Sequence, residues 1–172
     1  SVRFSADMKN VQVSIGVKTG PKYKIIFDGN NFFRSQRQLK DALDISDTIV
    51  VTPDYYPVLA RKLEDHYKSF GFYEAVVTAV ESLGLEAGQL FLTFRISEGK
   101  QRYIGKIKYD LKRSIGKHQI DEYLREKKAE FFEKGFFVKK EFEQMKELIE
   151  RYLNERGYLR AKVLGLTFEK GK

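Results

Sequence analysis

At 172 residues, with a third of them charged and 42% hydrophobic, the chain has enough apolar side chains for one or two globular cores. It contains no cysteine, which excludes disulfides, and no apolar run approaches the roughly 20 residues that a bilayer-spanning helix needs. The net charge of +8 is unevenly placed: residues 1–19 carry three Lys/Arg against one acidic residue, residues 20–98 nine against eleven, and residues 99–172 twenty against twelve.

In chain order, Val2-Arg3-Phe4-Ser5 and the alternating Val11-Gln12-Val13-Ser14-Ile15-Gly16-Val17 read as a hairpin. Ser1 opens inside this strand-like sequence, so the chain is expected to be a piece of a longer one. Lys24-Ile25-Ile26-Phe27 is a short strand closed by the turn Asp28-Gly29-Asn30. Ser35 and Gln38 are spaced as a capping box for a helix carrying Leu39, Ala42 and Leu43. Thr52-Pro53 then supplies an N-cap with proline at the first helical position. From there Tyr56, Leu59, Ala60, Leu63, Tyr67 and Phe70 form one helical stripe, and Gly71 stands where a left-handed C-terminal cap is needed. Two strands follow, Tyr73–Ser82 and Gln89–Ser97, the second strictly alternating.

The order then repeats. Tyr103–Tyr109 reads as a strand, and Lys117–Lys127 as a helix on Ile120 and Leu124. A longer helix from about Val138 carries Phe142, Met145, Ile149, Tyr152 and Leu153, and Tyr158–Phe168 reads as the next strand. The sharpest echo is Phe70-Gly71-Phe72-Tyr73-Glu74-Ala75-Val76-Val77 against Arg156-Gly157-Tyr158-Leu159-Arg160-Ala161-Lys162-Val163. The unit is β-α-α-β-β. Counting reversals makes strands one and three parallel and two and three antiparallel; the expected sheet order is one-three-two, with both helices on one face and strand two at an edge, while order two-one-three satisfies the same count but splits the short hairpin that sequential strands usually form. The last strand of the second copy is missing, and the opening hairpin looks like the tail of a copy before the first. Residues 1–19 are thus expected to close a preceding module, with modules at 20–98 and 99–172.

Order, spacing and the glycine-aromatic positions together resemble POTRA (polypeptide-transport-associated) domains. The residues concerned are Gly20-Pro21-Lys22-Tyr23, Glu98-Gly99 with Tyr103-Ile104-Gly105, Phe70-Gly71-Phe72-Tyr73 and Arg156-Gly157-Tyr158-Leu159. The first copy departs from the pattern in its short opening strand, which lacks an equivalent of Gly105. The resemblance implies an α+β fold of tandem β-α-α-β-β modules, each a three-stranded mixed sheet under two antiparallel helices. It further implies a periplasmic part of an outer-membrane assembly factor of the BamA or TamA type, with a β-barrel carboxy-terminal to it. Its implied partners are unfolded outer-membrane β-barrel polypeptides and accessory assembly lipoproteins.

Physics points to one mode of contact. An edge strand offers unpaired N–H and C=O groups to which an extended polypeptide can add as a further strand, largely regardless of its sequence. The candidate edge residues are Glu74, Val76, Thr78 and Val80 in the first copy and Arg160, Lys162 and Leu164 in the second. The alternative for Arg160 and Lys162 is a gatekeeping role against aggregation. An architectural spacer is the rival function. A nucleic-acid platform using Tyr103, Tyr109 and Tyr158 is disfavoured because these aromatics alternate as core residues do, and because the basic excess lies in scattered helix lysines such as Lys127, Lys128, Lys139, Lys140 and Lys146. Those lysines are also placed to meet anionic lipid head groups.

No enzymatic or cofactor reading stands. Ser97-Glu98-Gly99-Lys100 and Lys18-Thr19-Gly20 match fragments of a serine-enzyme signature in the wrong order. His66 and His118 lack a second ligand at metal spacing, Asp41, Asp44 and Asp47 read as a solvated helix end, and no glycine-rich phosphate loop exists.

Overall fold

The computed structural model describes residues 2–4, 11–17, 20–45, 52–86, 88–110 and 116–168. Strands β1 (Val2–Phe4) and β2 (Val11–Val13) pair antiparallel with Val2 opposite Val13, so the expected opening hairpin is present. The main sheet contains β3 (Lys22–Asp28), β4 (Val76–Leu83) and β5 (Gln89–Ser97) in the order β3-β5-β4. Strand β3 runs parallel to β5 and β4 antiparallel to it, which is the expected order one-three-two and sets aside two-one-three.

The alternation of β5 explains its central place. Leu92, Phe94 and Ile96 are buried, while Thr93, Arg95 and Ser97 fall on the other face. Helices α1 (Gln36–Leu43) and α2 (Tyr56–Ser69) supply Leu39, Leu43, Leu59, Leu63 and Tyr67 to the same core, joined by Phe27, Phe33 and Val77. Phe94 is wholly inaccessible and stacks on Phe27 at 5.8 Å, a burial worth about 2–3 kcal/mol.

Several boundaries differ from the sequence reading for local reasons. Ser35 is the N-cap of α1, but its side chain makes no capping hydrogen bond, so the expected box is not formed. After Thr52 the chain makes a 3-10 turn, Pro53–Tyr55, before α2 begins at Tyr56. Strand β3 is longer than expected because Lys22 N–H donates to Gly88 C=O at 2.9 Å, extending the parallel ladder. Strand β4 starts at Val76 because Ala75 N–H donates back to Phe72 C=O at 3.1 Å. That turn keeps Tyr73 and Glu74 off the ladder.

The second core is built by α3 (Lys117–Lys127), α4 (Ala129–Lys134) and α5 (Lys139–Glu155). Ile120, Leu124, Phe142, Met145, Tyr152 and Leu153 are buried there, with Phe131 and Phe132 of the unforeseen α4 packed against them. The expected strands at Tyr103–Tyr109 and Tyr158–Phe168 are not regular strands; only Tyr103 forms an isolated bridge, to Phe136. The first sheet gives the reason. Its outer strands bond only to central β5, and no described segment of the second half plays the part of β5. Both stretches are nevertheless laid against the core: Ile104, Ile107, Tyr109, Ala161 and Leu166 pack on it. Tyr109 is further tied to α3, its hydroxyl donating at 3.0 Å to Asp121, which also accepts from Arg125 at 2.7 Å.

The glycine-aromatic echo is an echo of hydrogen bonds. After α2, Gly71 N–H donates to Lys68 C=O (3.1 Å) and Phe72 N–H to Tyr67 C=O (3.2 Å). After α5, Gly157 N–H donates to Asn154 C=O (3.0 Å) and Tyr158 N–H to Leu153 C=O (3.0 Å). This is a Schellman termination in both places, and it requires the left-handed backbone that Gly71 (φ 85°) and Gly157 (φ 89°) supply.

Candidate functional site

Among the described residues, strand β4 is bonded on one side only. Its register places Leu83 opposite Leu90 and Val77 opposite Ile96, and Gly84 N–H closes the hairpin on Gln89 C=O at 2.8 Å. Antiparallel bonding alternates, so even-numbered residues of β4 bond to β5, and the backbone groups of Val77, Ala79, Glu81 and Leu83 point away from the sheet. The side chains of Val76, Thr78 and Val80 are exposed on the sheet face opposite the helices. The three β4 candidates thus flank a potential added strand through their side chains, whereas the hydrogen-bonding groups belong to the residues between them, which the sequence reading did not name.

One of those outward groups is occupied. Val77 N–H donates to Glu64 Oε1 at 3.0 Å, and Lys68 Nζ holds Glu64 Oε2 at 3.3 Å. At the other end Leu83 and Leu85 are almost fully exposed around the hairpin tip. Exposed Glu81 accepts from the Tyr56 hydroxyl and, at 3.4 Å, from Tyr23. Burial first, then the bond to Glu81, pushes the Tyr56 phenol well above its ordinary range.

Of the second-copy candidates, Arg160 lies in the turn that Ala161 N–H closes on Tyr158 C=O, while Lys162 and Leu164 are exposed beyond it next to the half-buried Ala161 and Val163. Over residues 161–164 the side alternation of a strand persists without a ladder. Val163 N–H donates to Glu150 Oε1 at 2.8 Å, the same contact as Val77 with Glu64 and over the same 13-residue separation.

Glu74 has a different neighbourhood. Its carboxylate receives Arg102 at 3.1 Å, at a junction between the two cores. Arg102 N–H donates to Gly71 C=O at 2.8 Å, and Phe137 N–H donates to Arg102 C=O at 2.9 Å. Gln101 Nε2 donates to Phe70 C=O at 2.9 Å, and the ring pairs Phe70–Phe136 and Tyr73–Phe137 (6.1 and 5.8 Å) cross the same boundary. Behind it His66 is held between Phe33 and Phe70, its Nε2 buried without a partner, and burial lowers its pKa.

No protein-family model matches the chain. It is 30% identical over 172 residues to a putative outer membrane protein assembly factor of Treponema pallidum (strain Nichols), covering 97% of this chain and 20% of that protein. It is 24% identical over 152 residues to outer membrane protein assembly factor BamA of Buchnera aphidicola subsp. Acyrthosiphon pisum, covering 87% of this chain and 24% of that one. The chain therefore spans about a fifth to a quarter of the length of these relatives. Among solved structures, BamA from Haemophilus ducreyi lacking POTRA domains 1–3 superposes with a TM-score of 0.51 at 13% identity, over 78% of this chain and 24% of that one.

Proposed function

The chain is POTRA-like in fold and related in sequence to BamA-type outer membrane protein assembly factors, and on that premise we propose that it is a periplasmic polypeptide-binding module of such a factor. Its modules divide at residues 20–98 and 99–172, with residues 1–19 closing a module before them. Unfolded outer-membrane β-barrel polypeptides add as an extra strand along β4, and accessory assembly proteins compete for or extend the same edge. The observation that carries this reading is the outward backbone of Ala79, Glu81 and Leu83 on a strand bonded to the sheet on one side only. Exposed Val76, Val80 and Leu83 add apolar contact without demanding a particular sequence.

Proline at an outward position removes one donor while sparing the bonds to β5. Ala79→Pro and Leu83→Pro are therefore expected to abolish crosslinking of an unfolded β-barrel polypeptide to a photoreactive group at Val80. Unchanged crosslinking in a variant with wild-type circular dichroism refutes strand addition.

The junction at Arg102 favours a second reading, in which the chain sets a fixed distance between flanking parts. One backbone bond, from Arg102 to Gly71, one side-chain bond from Gln101 to the Phe70 carbonyl, one ion pair and two ring contacts make it a stiff joint. In that case the isolated chain binds no unfolded barrel polypeptide, yet spin labels on α1 and α5 report one narrow distance.

A further inference from the structure

We propose that Glu64 is a register stop that fixes where an added strand begins to pair. The inference rests on the strand-addition reading and concerns which part of the edge is open. Glu64 on the long helix α2 reaches strand β4 and takes the outward N–H of Val77 at 3.0 Å, and Glu150 on α5 takes the main-chain N–H of Val163 at 2.8 Å in the same way. An incoming strand needs to place a carbonyl oxygen where this carboxylate oxygen sits. A carboxylate is the stronger acceptor, and its charge repels the carbonyl, so pairing starts one step further on. In the first half Lys68 binds the second carboxylate oxygen at 3.3 Å, which holds Glu64 in place. The open edge then runs from Ala79 to Leu83 and ends at the apolar hairpin tip. The stop also keeps a client away from Glu74, whose carboxylate belongs to the junction with Arg102.

The test uses the full chain, labelled with 15N, and a synthetic alternating Val-Thr octapeptide carrying a nitroxide at one end. In the wild-type chain the peptide is expected to slow amide exchange at Ala79, Glu81 and Leu83 and leave Val77 unchanged. In Glu64→Ala the Val77 amide exchanges rapidly alone and becomes protected when peptide is added, and the nitroxide-broadened patch moves by about two residues toward Glu74, one repeat of antiparallel pairing. Glu64→Asp, whose carboxylate falls short by one methylene, is expected to give the same shift in part and guards against a misfolded alanine variant. A glutamate that only ties helix to strand predicts lower stability with an unmoved patch, and that result overturns the stop while leaving strand addition intact. Absence of peptide protection at all of Ala79, Glu81 and Leu83 in the wild type overturns strand addition, and the stop with it.

Discussion

Replacing Gly71 and Gly157 by alanine separates the cost of a backbone conformation from the strength of the joint between the two cores. Both glycines have nearly the same positive φ and end their helices with the same pair of hydrogen bonds. An alanine in that conformation costs roughly 1–2 kcal/mol in either place. Their surroundings differ. A Cβ at Gly157 meets nothing within 4 Å, whereas at Gly71 it falls 2.6 Å from the Arg102 carbonyl oxygen and 3.3 Å from the Phe136 Cβ. The oxygen belongs to backbone and cannot swing aside, so Gly71→Ala must push residues 101–103 away. That displacement loses the bond from Arg102 N–H to Gly71 C=O, a net of about 0.5–1.5 kcal/mol, and loosens the partly exposed Arg102–Glu74 pair, which adds at most about 1 kcal/mol. The expected totals are about 2–4 kcal/mol for Gly71→Ala and 1–2 kcal/mol for Gly157→Ala. Because two cores need not unfold together, native-state hydrogen exchange is the suitable assay, read at Leu59 and Leu63 in the first core and Leu124 and Met145 in the second. A spin-label distance between α1 and α5 should broaden in Gly71→Ala alone. Equal losses in the two variants, with an unchanged distance, would refute the reasoning.

At alkaline pH, Tyr56, Tyr67 and Tyr109 all have phenols raised above the ordinary 10.0, chiefly by burial, so the stability they confer is complete below that value and is lost as pH rises through the folded-state pKa; a denaturation series from pH 8 to 12 should show it, and Tyr109→Phe should flatten it in the second core. His66 has the opposite sign: burial lowers its pKa from 6.5, so its contribution is complete above that value and falls as pH drops below it. His66→Phe should remove this acid dependence in exchange measured at Leu63, and an unchanged pH profile counts against it. Phe94→Ala, at the centre of the first sheet, should cost about 3–5 kcal/mol in urea unfolding; a loss below about 1 kcal/mol would contradict the packing. If the lysines of α3 to α5 meet lipid, flotation with vesicles should require anionic head groups and fade with salt.

Elements whose cause is local were readable from the sequence. The stripes of α2 and α5, the alternation of β5 and the left-handed glycines each depend on residues within a few positions of one another. The sheet order followed too, from the number of reversals together with the preference of sequential strands for a short hairpin. What depended on a distant partner did not. Tyr103–Tyr109 has strand chemistry but no central strand to bond to among the described residues, and Ser35 has capping chemistry without a capping bond. Glu74 shares the echo, yet its partner Arg102 lies 28 residues away and was not visible as such. The candidate residues Val76, Thr78 and Val80 alternate along the edge strand and so share one face of the sheet, whereas the free hydrogen-bonding groups belong to the residues between them.

The two halves preserve some features of the repeat and change others, and the pattern bears on function. The helix termination, the turn that follows it and the glutamate-to-strand bond recur in both, with Ala75 N–H to Phe72 C=O matched by Ala161 N–H to Tyr158 C=O. All of these are bonds to the main chain, indifferent to which side chains stand outside. The outward side chains differ: Glu74 becomes Arg160, Thr78 becomes Leu164, and Val76 becomes Lys162. A surface that recognised one particular side-chain pattern would need the same outward residues in both copies. A surface that offers backbone needs only the chain held at the same angle to its helix, and that is what the repeated bonds hold. A peptide that binds β4 should therefore tolerate Val76→Lys and Thr78→Leu with little loss, while Ala79→Pro abolishes binding. The reverse ranking would mean that recognition runs through the side chains.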